Sequence, residues 1–265
     1  MRLLLQNFSL RHSSRLKKAI SRTDVILSAT PNTSIQLKEF FYKESLYLPE
    51  NGLEDMDVSK NCQIQKYEKG AMLQLIWVGE LSCRKGLILL LMALNRLEKE
   101  YKKKLHLSVL GDGHLRKQLQ CYVSQNNLSS IVSFYGKVSR TEVSRQFKQS
   151  HLHIITSLSE ATTTVVWEAK VNGIPTMTLD HCGMAGVVDE ECGIKSPIVN
   201  LSQIIEDIAS NITRIIKNPL VIETLSEGVL KSNKRFLWSE RCRTFESSYK
   251  QAIKNYCTNK VLLPN

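Results

Sequence analysis

The 265 residues of this chain are 42% apolar and 23% charged, which suits one large or two modest globular domains and excludes an intrinsically disordered protein. The longest apolar run, residues 87–94, is far shorter than the ~20 residues that span a bilayer, and residues 1–6 are too short an apolar run for a secretory signal, so we expect a cytoplasmic protein. The net charge of +11 favours polyanionic partners, namely nucleic acid, anionic lipid headgroups or phosphorylated small molecules.

The N-terminal segment, residues 1–22, is basic and amphipathic. It contains six Lys or Arg residues and no acidic residue, with apolar residues such as Phe8 and Leu16 between them. A helix of this kind either lies on an anionic membrane surface or packs against a neighbouring domain with its charges solvated. We favour packing, whereas the membrane interpretation places the protein peripherally on the inner face of the cell membrane.

Residues 23–69 form too small a piece to make a doubly wound domain of their own. Residues 23–30 are typical of a strand and residues 31–41 of a helix. A turn follows at residues 47–53, and the polar stretch 54–69 is typical of a linker.

From Leu73 onward, short aliphatic strands alternate with glycine or polar turns and helical stretches. The expected strands are residues 73–79, 105–110, 131–136, 153–156 and 175–180. The expected helices cover residues 85–101, a stretch ending near residue 125, and residues 140–149; a short strand at 197–199 then precedes three helices with a break near Asn218 and Pro219. This alternation predicts an α/β fold with a Rossmann-like parallel sheet and helices on both faces, which binds ligands at the carboxyl ends of its strands.

Two carboxylates eight residues apart, Glu160 and Glu168, follow the fourth strand. The pattern predicts a loop and then a helix, with Glu160 at the mouth of the helix and Glu168 about two turns inside. At ~1.5 Å rise per residue the two lie about 12 Å apart along the axis, comparable to two sugar rings joined by a diphosphate. Free N–H groups at the helix start, and the hydroxyls of Thr162, Thr163 and Thr164, suit the phosphates between them. Either glutamate alone is better explained as a solvated residue.

Other chemical signals are weaker. Lys85 and Gly86 follow the first strand, where a lysine can direct its charge at a phosphate, although a lysine before a helix is more often a surface residue. His151 and His153 share a strand face, but no third metal ligand stands nearby, so we favour core or edge histidines. Walker, serine-elbow and G-x-G-x-x-G motifs are absent, and no nucleic-acid motif supports a nucleic-acid partner.

In order along the chain, these signals resemble the C-terminal, donor-binding domain of family 4 glycosyltransferases, which have the GT-B architecture. The motifs that carry the resemblance are Leu48-Pro49-Glu50-Asn51-Gly52, Val78-Gly79, Lys85-Gly86, Val109-Leu110-Gly111-Asp112-Gly113, Phe134-Tyr135-Gly136-Lys137-Val138, Ser157-x-x-Glu160-x7-Glu168-Ala169 and Gly173-Ile174-Pro175. The resemblance spans about residues 23–255, and the order of the motifs is more specific than any one of them.

The resemblance implies retaining transfer of a sugar from a nucleotide diphosphate sugar to a glycan or lipid-linked acceptor, without a bound metal or a further cofactor. An envelope glycan precursor suits the basic N-terminus as acceptor. By position, Lys85 beside Gly79 neutralises the diphosphate and acts with Glu160 in catalysis, and Glu168 takes the ribose hydroxyls. The remaining donor-binding residues are Lys137 and Val138, which frame the base, and Glu160, Ala161, Thr162, Thr163 and Thr164, which hold the sugar and the β-phosphate.

The resemblance also predicts the domain organisation. Residues 1–56 correspond to a remnant of the N-terminal acceptor domain, residues 57–70 to a linker, residues 71–236 to the donor-binding domain, and residues 237–265 to a helix that crosses back, with a tail. Because so little of the acceptor domain is present, a second hypothesis is a non-catalytic donor-binding fragment, or one half of a split enzyme that pairs with a separate acceptor-domain protein.

Two positions depart from the family pattern. The arginine that usually follows the first glycine is replaced by Glu80, and Arg84 is the candidate substitute. The usual Gly-Phe-Gly after the first glutamate is Ala161-Thr162-Thr163, which predicts an altered choice of sugar.

Overall fold

The computed structural model describes the backbone of residues 11–261 and the side chains of residues 11–58 and 62–258. The first ten residues of the basic N-terminal segment lie outside this range. The strands are β1 (Leu27–Ser28), β2 (Leu46–Tyr47), β3 (Leu73–Val78), β4 (Leu105–Leu110), β5 (Val132–Gly136), β6 (Leu152–Ile155), β7 (Thr176–Leu179) and β8 (Gly193–Ser196). The helices are α1 (Ser14–Ser21), α2 (Pro31–Phe41), α3 (Asp55–Asn61), α4 (Leu87–Arg96), α5 (Lys99–Lys102), α6 (Arg116–Gln125), α7 (Arg140–Lys148), α8 (Thr164–Val171), α9 (Met184–Val187), α10 (Leu201–Lys217), α11 (Leu220–Asn233) and α12 (Trp238–Val261), with 3₁₀ turns at Cys83–Lys85 and Lys234–Phe236.

Six strands form one parallel sheet in the order β5-β4-β3-β6-β7-β8, which confirms the predicted Rossmann-like fold. The chain winds outward from β3 to β5 in one direction and from β6 to β8 in the other. The winding direction therefore reverses between β3 and β6, where Leu75 pairs with Leu152. A parallel sheet with such a switch point leaves a crevice outside the carboxyl ends of the two central strands, and this crevice is where ligands bind.

Side chains on the central strands alternate between two apolar layers, as the two-residue period of a strand requires. Leu75 and Trp77 pack in the larger cluster with residues of α4, α6 and α10, whereas Ile76 packs with Phe147 of α7 and Ala169 of α8. Both faces of the sheet are thus covered by helices, which explains the nearly continuous apolar sequence of its strands.

The structure changes two of the expected elements. The single helix expected at residues 85–101 is a 3₁₀ turn followed by α4 and α5, because Gly86 is left-handed and Leu97 is extended. The last strand lies at Gly193–Ser196 and not at residues 197–199. Pro197 has no N–H to donate to a neighbouring strand, so the strand ends before it.

A small N-terminal unit precedes the large sheet. Strands β1 and β2 pair in parallel, and α2 connects them, with Pro31 at its first position and the Thr30 hydroxyl accepting from the Thr33 N–H at 3.1 Å. Neither α1 nor α2 contains a fully buried residue. Within residues 11–261, no helix has both the length and the apolar character needed to cross a membrane.

The turn after this unit is bonded to the start of α12. The Leu53 N–H donates to the Phe236 carbonyl and the Trp238 N–H donates to the Leu53 carbonyl, each at 2.9 Å. Farther along α12, Lys254 lines a cavity together with Arg22 and Lys43. The C-terminal helix therefore runs back along the N-terminal unit, while the division of the chain into domains stays a prediction.

The segment predicted as a linker, residues 57–70, is ordered against the large sheet. It includes the end of α3, the buried side chain of Tyr67, and the Gln65 N–H, which donates to the Ser226 hydroxyl at 2.8 Å. These contacts hold the segment close to α11.

Gly86 occupies a position where only glycine fits. Its φ is +63°, and an added Cβ would overlap the Thr156 carbonyl oxygen. We expect Gly86→Ala to lower the free energy of unfolding by about 3 kcal/mol or more, because backbone strain and steric overlap add. The measurement is urea denaturation followed by circular dichroism.

Gly70→Ala is the matched control, since Gly70 has φ +90° but no atom within 4 Å of the added Cβ. Gly70→Ala introduces the backbone strain without the steric overlap, and we expect it to lower the free energy of unfolding by about 1 kcal/mol. Equal losses in the two variants would contradict the close approach at Gly86.

Candidate functional site

The turns that follow β3 and β6 are bonded to each other at the switch point. The Thr156 hydroxyl accepts from the Trp77 indole N–H at 3.2 Å and donates to the Lys85 carbonyl at 3.0 Å. The Leu158 N–H donates to the Arg84 carbonyl at 2.8 Å. These bonds fix the backbone of Arg84 and Lys85 opposite the loop that carries Glu160.

Three charged side chains meet at this junction. Glu160 Oε1 lies 2.5 Å from Lys85 Nζ and 2.7 Å from Arg84 Nη1, and Arg84 Nη1 also donates to the Ser159 carbonyl at 3.1 Å. The side chains of Lys85 and Glu160 are only 12% and 11% exposed, whereas that of Arg84 is 48% exposed. Gly79 lies beside them, since a Cβ at Gly79 would be 3.6 Å from Lys85 Cδ.

Glu160 lies in a loop and not at the mouth of the helix. Helix α8 begins at Thr164 and its N-cap is Thr163, so three residues separate Glu160 from the first helical residue. The spacing of about 12 Å expected from helical rise therefore does not apply to this pair, because only residues 164–168 follow the helix. Ala161 and Thr164 are exposed, Thr163 is buried, and the Thr162 hydroxyl is buried without a hydrogen-bond partner among the described residues.

Glu168 lines a separate cavity of about 340 Å³. The cavity lies between α3, α7 and α8, and its lining residues do not include Lys85 or Glu160. The residues that line it are Gly52, Leu53, Glu54, Asp57, Arg140, Ser144, Trp167, Glu168, Val171 and Asn172. The Trp167 indole N–H is buried and has no partner among the described residues. The residues that line the cavity thus include a carboxylate, Glu168, and a guanidinium, Arg140.

The carboxyl group of Glu168 is electrostatically perturbed. Burial raises its pKa above the ordinary value, and the nearby Arg140 opposes that rise. A carboxylate that is partly removed from water and lines a cavity is typical of a ligand-binding position.

Three further residues singled out in the sequence lie either after β5 or in the apolar core. Lys137 and Val138 follow β5, with Lys137 exposed and Val138 packed on the apolar cluster of Ile76 and Phe147. His153 is fully buried against Phe147, and burial together with the Lys85 charge lowers its pKa to about 3. His153 is therefore a neutral core residue at physiological pH.

Arg140 and Trp167 were not among the residues predicted from the sequence. Arg140 is the first residue of α7, directly after the turn at the carboxyl end of β5, and that position is a sequence signal for a charge at the ligand edge. Trp167 packs against Phe236 in the apolar core and also lines the cavity.

A larger cavity, about 470 Å³, lies at the edge strand β8, beside α10 and α11. It includes Gly193 and Ile194 at the beginning of β8, and none of the predicted donor residues. We consider the smaller cavity the better candidate, because it contains Glu168, whose pKa is perturbed, and adjoins the turns at the carboxyl edge of the sheet.

Comparison with known protein families decides the identity of the fold. Residues 61–231 match the family model described as glycosyl transferases group 1. This range includes the six-stranded sheet, Glu168 and the ion cluster formed by Arg84, Lys85 and Glu160. The chain belongs to this glycosyltransferase family. Group 1 membership agrees with the glycosyltransferase resemblance inferred from the motifs.

One curated relative is an uncharacterized glycosyltransferase of Methanocaldococcus jannaschii. It is 26% identical over 241 residues, which are 91% of this chain and 62% of that protein. The chain therefore spans less than two thirds of the length of this relative.

Solved structures show that the fold of this glycosyltransferase chain is that of the GT-B enzymes. The lipopolysaccharide outer core galactosyltransferase WaaB has a TM-score of 0.74 at 19% identity, and the match covers 92% of this chain and 66% of WaaB. Anabaena HepE in complex with UDP has a TM-score of 0.71 at 16% identity, covering 92% and 68%. The pneumococcal O-GlcNAc transferase GtfA in complex with UDP and GlcNAc has a TM-score of 0.69 at 16% identity, covering 91% and 47%.

The raised pKa of Glu168 predicts a specific pH dependence of stability. The folded state holds the carboxyl proton more tightly than the unfolded chain does, so stability from this group is present below its ordinary pKa and is lost as the pH rises through the raised pKa. We therefore expect Glu168→Gln to be more stable than the unmodified protein at pH 7.5, by up to about 1 kcal/mol, with the difference disappearing at pH 4.

Urea denaturation at both pH values measures this difference. Glu227→Gln, on the exposed surface of α11, is the control for loss of one negative charge. If Glu168→Gln is less stable than the unmodified protein at pH 7.5, the ionised carboxylate is stabilising and the expected sign of the effect is wrong.

Proposed function

We propose that this chain binds a nucleotide diphosphate sugar at the carboxyl edge of its sheet and transfers the sugar to a glycan or lipid-linked acceptor with retention, as a family 4 enzyme. The observation that carries the proposal is the meeting of Lys85, Arg84 and Glu160 at the switch point. Two cations at that crevice suit the two phosphates of such a donor, and the cavity lined by Glu168 suits its nucleoside.

In the proposed donor complex, each part of the ligand has a partner of matching chemistry. Lys85 neutralises the diphosphate, and the Thr162 hydroxyl and the start of α8, which has no side-chain cap, supply further donors. Glu168 accepts the ribose hydroxyls, and Lys137 and Val138 frame the base. No metal or additional cofactor takes part in this proposal.

Catalysis in this proposal is mainly electrostatic. Negative charge develops on the diphosphate as its bond to the sugar breaks, and the backbone of Lys85 is held by the Thr156 hydroxyl, which donates to the Lys85 carbonyl. Glu160 contacts the sugar and helps to orient it. A cation that needs no rearrangement during the reaction lowers the barrier more than one that must move.

The comparisons and the charge of the chain support the choice of donor and acceptor. GtfA and HepE are described with UDP, and WaaB is described as a lipopolysaccharide outer core galactosyltransferase. A uridine diphosphate sugar as donor and an envelope glycan precursor as acceptor follow from these likenesses as proposals. Part of the basic segment is helix α1, whose exposed Arg15, Lys17 and Lys18 suit an anionic membrane surface on the cytoplasmic side.

A second candidate function is donor binding without transfer by this chain alone. It is favoured by the small N-terminal unit, in which two strands pair in parallel and the connecting helix α2 has no fully buried residue. Parallel sheets are usually larger and covered on both faces, so this unit suits association with a separate acceptor domain.

The donor assignment predicts that Glu168→Ala weakens binding of the preferred nucleotide sugar at least tenfold. The reason is the loss of charge-assisted hydrogen bonds to the ribose, worth roughly 1.5–3 kcal/mol each. Isothermal titration calorimetry with UDP-, GDP- and ADP-sugars measures this effect, with Glu227→Ala as control. Unchanged affinity in Glu168→Ala would show that the ribose assignment is wrong.

The two candidate functions differ in product release. We expect the chain, when it is supplied with the preferred donor and a lipid-linked glycan acceptor, to release nucleoside diphosphate, and we expect Lys85→Met to reduce the rate at least 100-fold. A coupled assay for the released diphosphate measures the rate. Donor binding without any release would favour the second candidate.

A further inference from the structure

Glu160 forms ion pairs with Lys85 and Arg84, the two cations that the proposed function assigns to the donor phosphates. Both Lys85 Nζ and Arg84 Nη1 contact the same oxygen, Oε1, at 2.5 and 2.7 Å. With Lys85 and Glu160 each nearly nine-tenths removed from solvent, neither charge is well solvated by water. The carboxylate therefore supplies the negative charge that this crevice requires in the absence of a ligand.

The backbone that carries the two cations is held without the help of Glu160. The Arg84 carbonyl accepts from the Leu158 N–H and the Lys85 carbonyl accepts from the Thr156 hydroxyl, so backbone bonds hold the turn Cys83–Lys85 against the loop after β6. Loss of the carboxylate leaves these bonds intact. The two side chains would then remain on the same turn with their charges available to another anion, and Arg84 would keep its bond to the Ser159 carbonyl.

The charges of the cluster suit such an exchange. Arg84, Lys85 and Glu160 together carry one net positive charge, whereas the two cations alone carry two. A diphosphate ester carries about two negative charges at neutral pH and offers several acceptor oxygens, so it satisfies both cations more completely than one carboxylate oxygen does. Binding a diphosphate nevertheless requires that the existing ion pairs be broken, which lowers its net affinity.

We propose that Glu160 is an internal competitor of the donor diphosphate, which releases Arg84 and Lys85 when the donor binds and then turns to the sugar. Arg84 is accordingly the second phosphate-binding residue of the site. Arg84 supplies the positive charge that the family pattern places at position 80, where this chain has the exposed Glu80 directly after β3. This inference rests on the proposed function, and it adds a ligand-free state of the same site in which Glu160 holds the two phosphate-binding cations.

Replacement of Glu160 by the donor diphosphate predicts that removing the carboxylate and removing the arginine have opposite effects on diphosphate affinity. We expect Glu160→Gln to bind the preferred nucleoside diphosphate about tenfold more tightly than the unmodified protein, and Arg84→Met to bind it about tenfold more weakly. Affinity for the corresponding nucleoside, which has no phosphates, stays unchanged in both variants. A purely structural role of Glu160 would weaken both ligands together.

The experiment is calorimetry at constant ionic strength on the full chain, with UDP, GDP and ADP and with uridine, guanosine and adenosine as probes. Arg96 and Glu206 provide the control for the change of charge, because they form an exposed ion pair between α4 and α10 at 3.1 Å, away from the candidate site. Glu206→Gln and Arg96→Met change the net charge by the same amounts as the two test variants, and we expect neither to alter binding. Glu160→Asp, whose shorter side chain reaches the cations less well, should fall between Glu160→Gln and the unmodified protein.

The possible results separate the inference from the proposed function. If the unmodified protein binds a nucleoside diphosphate and Glu160→Gln binds it equally or more weakly while nucleoside affinity is unchanged, the competitor role is wrong and donor binding stands. If Glu160→Gln alone binds a diphosphate measurably, the inference is supported. If neither protein binds any of the three diphosphates, both the inference and the proposed function are overturned.

Discussion

The bonds between the turns after β3 and β6 are the constraint on which the candidate site depends. Residues 77 and 156 are far apart in the chain, yet the Trp77 indole, the Thr156 hydroxyl and the Lys85 carbonyl form one continuous hydrogen-bonded path. The path exists because the two strands are neighbours at the switch point. A Thr156 without its hydroxyl would leave a buried indole N–H unpaired and release the turn that carries Arg84 and Lys85.

Several charged groups at the candidate site are partly removed from water. Lys85 and Glu160 compensate each other, whereas burial raises the pKa of the Glu168 carboxyl and Arg140 opposes that rise. Charged groups held in this way cost free energy in the absence of a ligand and become useful when one arrives. Both features belong to the same carboxyl edge of the sheet.

The start of α12 connects the small N-terminal unit with the cavity of Glu168. Arg241 is only 2% exposed, donates to the Pro49 carbonyl, and lies 5.0 Å from the centre of the Trp238 ring. Gly52 leaves room for it, since a Cβ there would lie 2.8 Å from Arg241 Cδ. Because Gly52 also lines the cavity, the packing of α12 determines the shape of one cavity wall.

Much of the architecture could be predicted from the sequence, because alternating strands and helices leave local patterns of apolar residues, and the turn after β3 identified Lys85 as a candidate for phosphate binding. The loop position of Glu160, the last strand at 193–196, and the cavity formed by Arg140 and Trp167 could not be predicted in this way. Nor could the contact between Arg84 and Glu160, which are 76 residues apart.

By itself the sequence determined which elements form and which residues end them, since those depend on neighbours along the chain. Only the tertiary structure decided which charges meet, because strand order brings distant turns together and no local pattern records it.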